Sequence, residues 1–122
     1  MKFKTTKYHS DLLKDYERLS AFFQAIQDYD GKTDVAFDLG CGSGILSYFL
    51  SDKFEDILSL EINQKSSRCA QDNLADFKNI EVINSDVLEF DFPKKADLIV
   101  CEMLDTALID EEEIPNTSRS FR

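Results

Sequence analysis

The residues best suited to chemistry in this sequence are glycines and acids that follow short apolar runs. From position 35 the chain runs Val-Ala-Phe-Asp-Leu-Gly-Cys-Gly-Ser-Gly, and a helix-compatible segment follows at once. Gly40, Gly42 and Gly44 have no Cβ, so the backbone can take positive φ and a ligand can approach it closely. The pattern predicts a strand, a tight turn and a helix N-terminus whose unpaired N–H groups face a crevice, which is typical of a nucleotide-type binding loop.

An acid precedes the first glycine of this loop. The spacing is Asp-x-Gly-x-Gly-x-Gly rather than the Gly-x-Gly-x-x-Gly of dinucleotide-binding folds. Asp38 would repel a pyrophosphate and attract a ligand that carries an ammonium group, which disfavours a nicotinamide-dependent oxidoreductase. The alternative is that the glycines serve only to turn the chain.

With this spacing, the segment resembles the first motif of the class I S-adenosylmethionine-dependent methyltransferases. The resemblance implies that S-adenosyl-L-methionine is the cofactor. It also implies that Asp38, the three glycines and Cys41, which lies between two of them, contact that cofactor.

A second acid ends the next apolar run. Residues 56–61 read Asp-Ile-Leu-Ser-Leu-Glu, a strand with Glu61 at its carboxyl end. A carboxylate there can accept hydrogen bonds from both ribose hydroxyls of a nucleoside. Glu61 follows Asp38 by a little over twenty residues, near the expected spacing. The resemblance adds the next residue, Ile62, to the cofactor contacts; the alternative for Glu61 is a hydrophilic strand end.

A third strand, from Ile80, is followed by another acid. In the wider methyltransferase class an acid placed like Asp86 accepts a hydrogen bond from the adenine amino group, and the next residue, here Val87, offers a backbone N–H to the ring. Protein arginine methyltransferases place an acid two positions later, where this chain has Leu88. The adenine contacts therefore follow the general class pattern.

A pattern ahead of the glycine loop is similar to one in protein arginine methyltransferases. It runs His-x-x-Leu-Leu-x-Asp-x-x-Arg from His9 to Arg18. In that family the matching His and Arg reach the cofactor, and the Arg pairs with the methionyl carboxylate, for which a planar guanidinium is well shaped. The alternative is that both residues are solvated.

Two glutamates match the catalytic spacing of the same family. Glu102 and Glu111 are nine residues apart, as in its double-glutamate loop, which implies that both are catalytic and that Glu102 also contacts the cofactor. Two carboxylates that grip a guanidinium localise its charge and leave the third nitrogen free to attack. The intervening Met-Leu-Asp-Thr differs from the family's Trp-Met-Gly-Tyr, so the acceptor need not be arginine. Glu111 also lies in an acidic run, 110–113, that is compatible with a solvated first helical turn.

Composition limits the remaining options. A chain of 122 residues that is 43% hydrophobic is one globular domain, and a net charge of −10 argues against binding of duplex DNA. Cys41, Cys69 and Cys101 are odd in number and show no metal-ligand spacing, and no signal segment precedes them, which indicates free thiols and a cytoplasmic protein without a metal site. No run is long enough to span a membrane.

The elements that must position these residues follow from hydrophobic periodicity. Apolar residues at helical spacing predict a helix from about Tyr8 to Gly31, with Leu12, Leu19, Phe23 and Ile26 on the sheet. Strands are predicted at 35–39, 56–61, 80–83 and 96–101, and helices at 44–53 and 64–77. We expect an α/β, Rossmann-like methyltransferase sheet, mainly parallel, of order 3-2-1-4 with an N-terminal helix. The domain spans 1–115, and 116–122 is predicted to be a disordered tail.

These features predict methyl transfer to a nitrogen of a protein or RNA acceptor. The alternative is a catalytically silent subunit that binds cofactor or a partner. Methyltransferases of this class usually continue through three more strands, whereas this sequence stops after the fourth. The fourth strand would then be an unpaired edge, which predicts a homodimer joined along it, or else a fragment of a longer gene product.

Overall fold

A computed structural model of the chain describes residues 12–101. Seven elements alternate between helix and strand along most of this range. They are α1 (Leu12–Asp28), β1 (Val35–Leu39), α2 (Ile45–Leu50), β2 (Asp56–Glu61), α3 (Gln64–Asn73), β3 (Ile80–Asn84) and β4 (Leu98–Cys101).

The strands form one parallel sheet of order β3-β2-β1-β4, which confirms the predicted fold class and strand order. β1 lies between β2 and β4, and its residues from Ala36 to Leu39 are buried. A strand that is covered on both faces needs apolar side chains pointing both ways, which explains the nearly continuous apolar sequence of β1. Its carboxyl end, which leads into the glycine loop, lies in the middle of the sheet.

Alternate residues of β1 supply two hydrophobic cores, one on each face of the sheet. Ala36 belongs to the first core and Phe37 to the second. In the first core α1 and α2 cover the sheet through side chains such as Ile26 and Leu46. The second core is completed by Val87 from the segment after β3.

Helix α1 only partly follows the predicted burial pattern. Ile26 is buried and Leu19 packs against the first core, as expected. Phe23 was predicted to face the sheet, but it is 43% exposed and meets Phe49 edge-on, with ring centroids 5.1 Å apart. The prediction for Phe23 is wrong because its place on the helix lies at the rim of the α1–α2 contact, where Phe49 covers one edge of the ring.

The carboxyl end of α1 is capped by a lysine distant in sequence. The last turn of α1 contains no basic residue. Lys53 Nζ, from the turn after α2, donates hydrogen bonds to the backbone carbonyls of Ile26 and Gln27, at 2.6 and 3.0 Å, and also to that of Tyr29. A cation at this position supplies a charged donor to carbonyls of the last helical turn and interacts favourably with the helix dipole. The contact fastens α1 to the segment that follows α2.

Helix α3 is shorter than predicted, because it ends at Asn73 rather than Phe77. Ala70, Leu74 and Phe77 were expected on its buried side. Ala70 and Leu74, the C-cap residue, are buried, whereas Phe77 lies beyond the helix and is half-buried. At the other end, Asn63 Oδ1 accepts a hydrogen bond from the amide of Ser66 and caps the helix. This cap fixes the point at which the chain leaves β2 and enters α3.

Candidate functional site

The loop between β1 and α2 has the backbone conformation that its glycines predict. Gly40, Gly42 and Gly44 have φ of 78°, 55° and 95°. These values lie in the left-handed region, which side chains with a Cβ rarely adopt. The loop conformation therefore favours glycine at these three positions.

Gly42 and Gly44 are needed for different reasons. A Cβ on Gly44 would lie 2.7 Å from Leu74 Cδ1, so the absence of a side chain lets α3 pack against the start of α2. Among the described residues, nothing lies within 4 Å of a Cβ built on Gly42. Of these two glycines, Gly42 therefore borders open space, where a ligand could approach the backbone.

The loop is fastened at several points to the elements beside it. Leu60 O, near the end of β2, accepts hydrogen bonds from the amides of Gly40 and Cys41, at 2.8 and 2.9 Å. From the other side, Asn73 Nδ2 in α3 donates to Ser43 O at 3.0 Å. These hydrogen bonds fix the loop against β2 and α3.

The acid at the end of β2 lies against this loop. Glu61 Oε1 accepts a hydrogen bond from Gly42 N at 2.8 Å, and Glu61 Oε2 accepts one from Asn63 N at 2.9 Å. A carboxylate offers about four lone-pair positions, so these two bonds leave acceptor capacity for two further donors. A pair of neighbouring hydroxyl groups would match that capacity.

An asparagine that the sequence analysis did not single out supports Glu61 from β3. Asn84 Nδ2 donates to Glu61 O at 2.8 Å and to Ile62 O at 3.0 Å. The side chain of Ile62 is 65% exposed. The sequence gives only a weak signal of this contact, an amide residue at the end of a strand next to the one that carries the acid.

Asp86 and Val87 lie in the turn after β3. Asp86 is half-buried, and its Oδ1 accepts a hydrogen bond from the amide of Leu88 at 3.0 Å. The side chain of Val87 is buried in the second core, whereas that of Leu88 is 43% exposed. The core contact of Val87 fixes the backbone of the turn that carries Asp86.

Asp38 lies in the interior of the protein, between β1 and α2, and its side chain does not reach the surface of the crevice. It is fully buried, and its Oδ2 accepts a hydrogen bond from Ser47 Oγ in α2 at 2.7 Å. Ser47 Oγ also lies 2.6 Å from Ser59 Oγ in β2. The carboxylate therefore joins β1 to α2, and an attraction for a cationic ligand would act through space rather than by direct contact.

Cys41 is a packing residue in this loop. It is 3% exposed, and burial, together with the nearby Asp38 and Glu61 carboxylates, raises the pKa of its thiol well above the usual range. The thiol is neutral at physiological pH, and neutral thiols are poor nucleophiles. Cys41 therefore shapes the loop rather than supplying reactivity.

The remaining predicted residues are only partly within the described structure. Arg18 is half-buried on α1. His9, Glu102 and Glu111 lie outside the described residues, as do the predicted helix start near residue 8 and the tail at 116–122. The structure thus places the glycine loop and Glu61 together and sets Asp86 just beyond the neighbouring strand β3.

Two kinds of feature are missing from residues 12–101. No helix in this range is long and apolar enough to cross a membrane. Nor does this range contain a group of three or more His, Cys, Asp or Glu residues placed to hold a metal ion.

A parallel α/β sheet with a glycine loop after the first strand and an acid at the end of the second defines a nucleoside-binding fold of the Rossmann-like class. The chain belongs to the methyltransferase domain family, whose model matches residues 36–122.

Relatives of known and unknown activity share this domain. The chain is 45% identical over all 122 residues to an uncharacterized protein of Methanothermobacter thermautotrophicus and covers 48% of its length. It is 34% identical over 61 residues to an rRNA adenine N-6-methyltransferase of Limosilactobacillus reuteri, which is 50% of this chain and 25% of that protein. The structure is similar to a chain of the Trypanosoma brucei PRMT1 enzyme-prozyme heterotetrameric complex with AdoHcy. The TM-score is 0.68 and the identity is 28%, over 77% of this chain and 31% of that one.

Proposed function

We propose that this chain binds S-adenosyl-L-methionine at the carboxyl edge of β1 and β2 and transfers its methyl group to a nitrogen of a protein or RNA acceptor. The observation that carries the proposal is the position of Glu61. Its carboxylate bonds to Gly42 of the glycine loop and keeps acceptor capacity for a pair of hydroxyls. An acid at the end of β2 can in this way join a ribose to the loop.

Each part of the cofactor has a candidate partner at this edge. Glu61 would bind the ribose hydroxyls, and the exposed Ile62 side chain would cover one face of the adenine. Asp86 and the amide of Val87 would bind the adenine edge. The backbone at Gly42 would approach the methionyl part, because the space beside it is open.

Four further residues complete the proposed cofactor site. Arg18 would pair with the methionyl carboxylate and His9 would lie near it, as the resemblance to arginine methyltransferases implies. Asp38 would contribute negative potential under the loop that favours the cationic ligand, and Cys41 would shape the loop from its buried position.

The sulfonium of the bound cofactor supplies an electrophilic methyl group and a good leaving group. The protein must therefore hold the acceptor nitrogen in line with the methyl carbon and the sulfur. Glu102 follows directly after β4, the neighbour of β1, and we assign it and Glu111 to the acceptor. Carboxylates suit an amino or guanidino acceptor, because they bind its N–H groups and one of them can take the proton that the nitrogen loses as the N–C bond forms and the S–C bond breaks.

A second candidate is a catalytically silent subunit that binds cofactor or a partner. The chain spans about half the length of the first curated relative that it matches, 48%. On this view, the rest of such a protein would supply the acceptor site. A homodimer through β4 is a further proposal, and sedimentation at micromolar to high micromolar concentration tests it.

Two measurements test the proposal, and the second separates the candidates. Calorimetry with S-adenosylhomocysteine tests the cofactor site, and both the enzyme and a silent subunit that binds cofactor predict binding. Transfer of labelled methyl from S-adenosylmethionine to fractionated cell protein and RNA is expected only of the enzyme, and nuclease or protease treatment identifies the acceptor. Absence of binding would overturn the proposed function, and binding without transfer would favour the silent subunit.

A further inference from the structure

We propose that Asn84 is a positioning residue that sets the selectivity of the site for ribose hydroxyls by holding Glu61. The inference rests on the proposed function, because it assumes that Glu61 binds the ribose. Asn84 has no assigned contact with the cofactor. It acts from the neighbouring strand, through the backbone of the turn that carries the acid.

The side chain of Asn84 clamps two consecutive carbonyl groups. Asn84 is the last residue of β3 and pairs in register with Glu61, the last residue of β2. Its amide nitrogen donates to Glu61 O at 2.8 Å and to Ile62 O at 3.0 Å. A carboxamide has two N–H donors, so both carbonyls can be satisfied at once. The clamp extends the contact between the two strands beyond their last paired residues.

This clamp acts at the point where Glu61 needs support. The amide of Ser85 also donates to Glu61 O, at 3.1 Å. Beyond that bond, the chain leaves the sheet and turns toward α3. The amide of Asn63, which binds Glu61 Oε2, belongs to this turn. If the carbonyl of Ile62 rotates, the amide of Asn63 moves with it, and the carboxylate loses one of its two fixed donors.

Loss of that donor would change the direction in which the carboxylate offers its lone pairs. Two adjacent hydroxyls require both oxygens of Glu61 in a defined plane, whereas apolar contacts with the base tolerate small shifts. A hydrogen bond weakens steeply when its donor and acceptor are no longer aligned, so a small rotation of the carboxylate weakens both bonds to the hydroxyls. The clamp should therefore affect hydroxyl recognition more than overall affinity.

A purely structural role for Asn84 makes a different prediction. An amide that only satisfies strand-end carbonyls stabilises the fold, and its removal would weaken the binding of every ligand to the same extent. The quantity that separates the two roles is a ratio. It is the Kd of the 2′,3′-dideoxy analogue of S-adenosylhomocysteine divided by the Kd of S-adenosylhomocysteine itself.

The test compares Asn84→Asp with a matched control in the full chain. Aspartate has the shape of asparagine but places carboxylate oxygens against two carbonyl oxygens, so the clamp is lost. Gln71→Glu is the control, because Gln71 Nε2 also donates to a backbone carbonyl of β3, that of Val82 at 3.5 Å, from an exposed side chain. Both substitutions add one negative charge at the surface. Asn84→Ala provides a second loss of the clamp without added charge.

We expect the wild-type ratio to be about tenfold or more, from two hydrogen bonds to a charged acceptor. Asn84→Asp and Asn84→Ala should reduce the ratio at least fivefold, and Gln71→Glu should leave it unchanged. Folded Asn84 variants that keep the wild-type ratio would overturn the inference, as would loss of folding in both variants, which would show a general structural role. If wild type binds neither compound, the proposed function itself fails, so the two failures are distinguishable.

Discussion

The amide of Gly42 donates a hydrogen bond to Glu61 Oε1 across 2.8 Å and so joins the loop after β1 to the end of β2. These segments would bind different parts of one cofactor, the methionyl chain and the ribose. This hydrogen bond fixes the position of the loop relative to the end of β2, so a ligand that contacts both segments meets a defined geometry.

Glu61→Gln tests this relationship most directly. Glutamine keeps the size of the side chain but replaces one acceptor oxygen by an NH2 group, which then faces the N–H of either Gly42 or Asn63. We expect affinity for S-adenosylhomocysteine to fall between about tenfold and a hundredfold, because hydrogen bonds to a charged acceptor are lost. We expect the free energy of unfolding to fall by about 1 to 3 kcal/mol.

Calorimetry and urea unfolding measure these two effects. Glu81→Gln is the control, since Glu81 is an exposed acid of β3 that pairs in register with Leu58, away from the loop. Equal affinity of wild type and Glu61→Gln for the ligand would contradict the assignment of the ribose to Glu61.

Alanine at Gly44 should mainly lower the stability of the protein, whereas alanine at Gly42 should mainly lower its affinity for the ligand. At Gly44 the methyl group would meet Leu74 at 2.7 Å and φ is 95°, so we expect a loss of about 3 kcal/mol of stability. At Gly42 φ is 55° and the space is open, so only the strain of about 1 to 2 kcal/mol applies.

The methyl group on Gly42 would, however, enter the space proposed for the cofactor. We therefore expect Gly42→Ala to lose affinity for S-adenosylhomocysteine by about tenfold or more while it remains folded, the equivalent of about 1.4 kcal/mol. Thermal unfolding and calorimetry on both variants test the contrast. A Gly42→Ala protein that binds as well as wild type would place the ligand elsewhere.

Much of the fold could be predicted from local sequence patterns. The apolar run of β1 and the glycines after it specify a buried strand and a tight turn through their own conformational preferences, and the structure has both. Glu61 was predictable for the same reason, because its place at a strand end follows from the run before it. In parallel sheets such ends meet at one edge.

The contacts that hold the site could not be predicted in this way. Lys53 reaches α1 across 26 residues of chain to Gln27, and Asn84 reaches Ile62 across 22 residues. Both depend on packing between elements, which no local pattern records. The burial of Asp38 was missed similarly, because the sequence shows an acid near a loop but not the Ser47 hydroxyl that accompanies it in the interior.

Lys53→Met tests the cap on α1. Methionine keeps most of the length and apolar stem of lysine but cannot donate to the carbonyls of Ile26 and Gln27. We expect the free energy of unfolding to fall by about 1 to 3 kcal/mol, since charged hydrogen bonds and a favourable dipole interaction are lost. Lys65→Met, at an exposed position of α3, should change it by less than about 0.5 kcal/mol.

Urea unfolding measures the free energy of unfolding of Lys53→Met, and calorimetry measures its affinity for the ligand. The affinity for S-adenosylhomocysteine should stay within about twofold of wild type, because Lys53 contacts α1 and not the loop. Unchanged stability in Lys53→Met would show that the cap contributes nothing in solution.

Because Cys41 is buried, we expect the free energy of unfolding to fall at alkaline pH. Its thiol has a usual pKa of 9.0, and in the folded protein burial and the Asp38 and Glu61 carboxylates raise the pKa. The folded state therefore keeps the proton that the unfolded state releases above pH 9, so the contribution is complete below that pH and declines as pH rises. The decline approaches about 1.4 kcal/mol per pH unit for one group.

Urea unfolding between pH 8 and pH 10 tests this dependence. The free energy of unfolding should fall more steeply with pH for wild type than for Cys41→Ala, because the cavity in the variant lowers stability by the same amount at every pH. Parallel curves for the two proteins would mean that the Cys41 thiol ionises as readily in the folded chain as in the unfolded one.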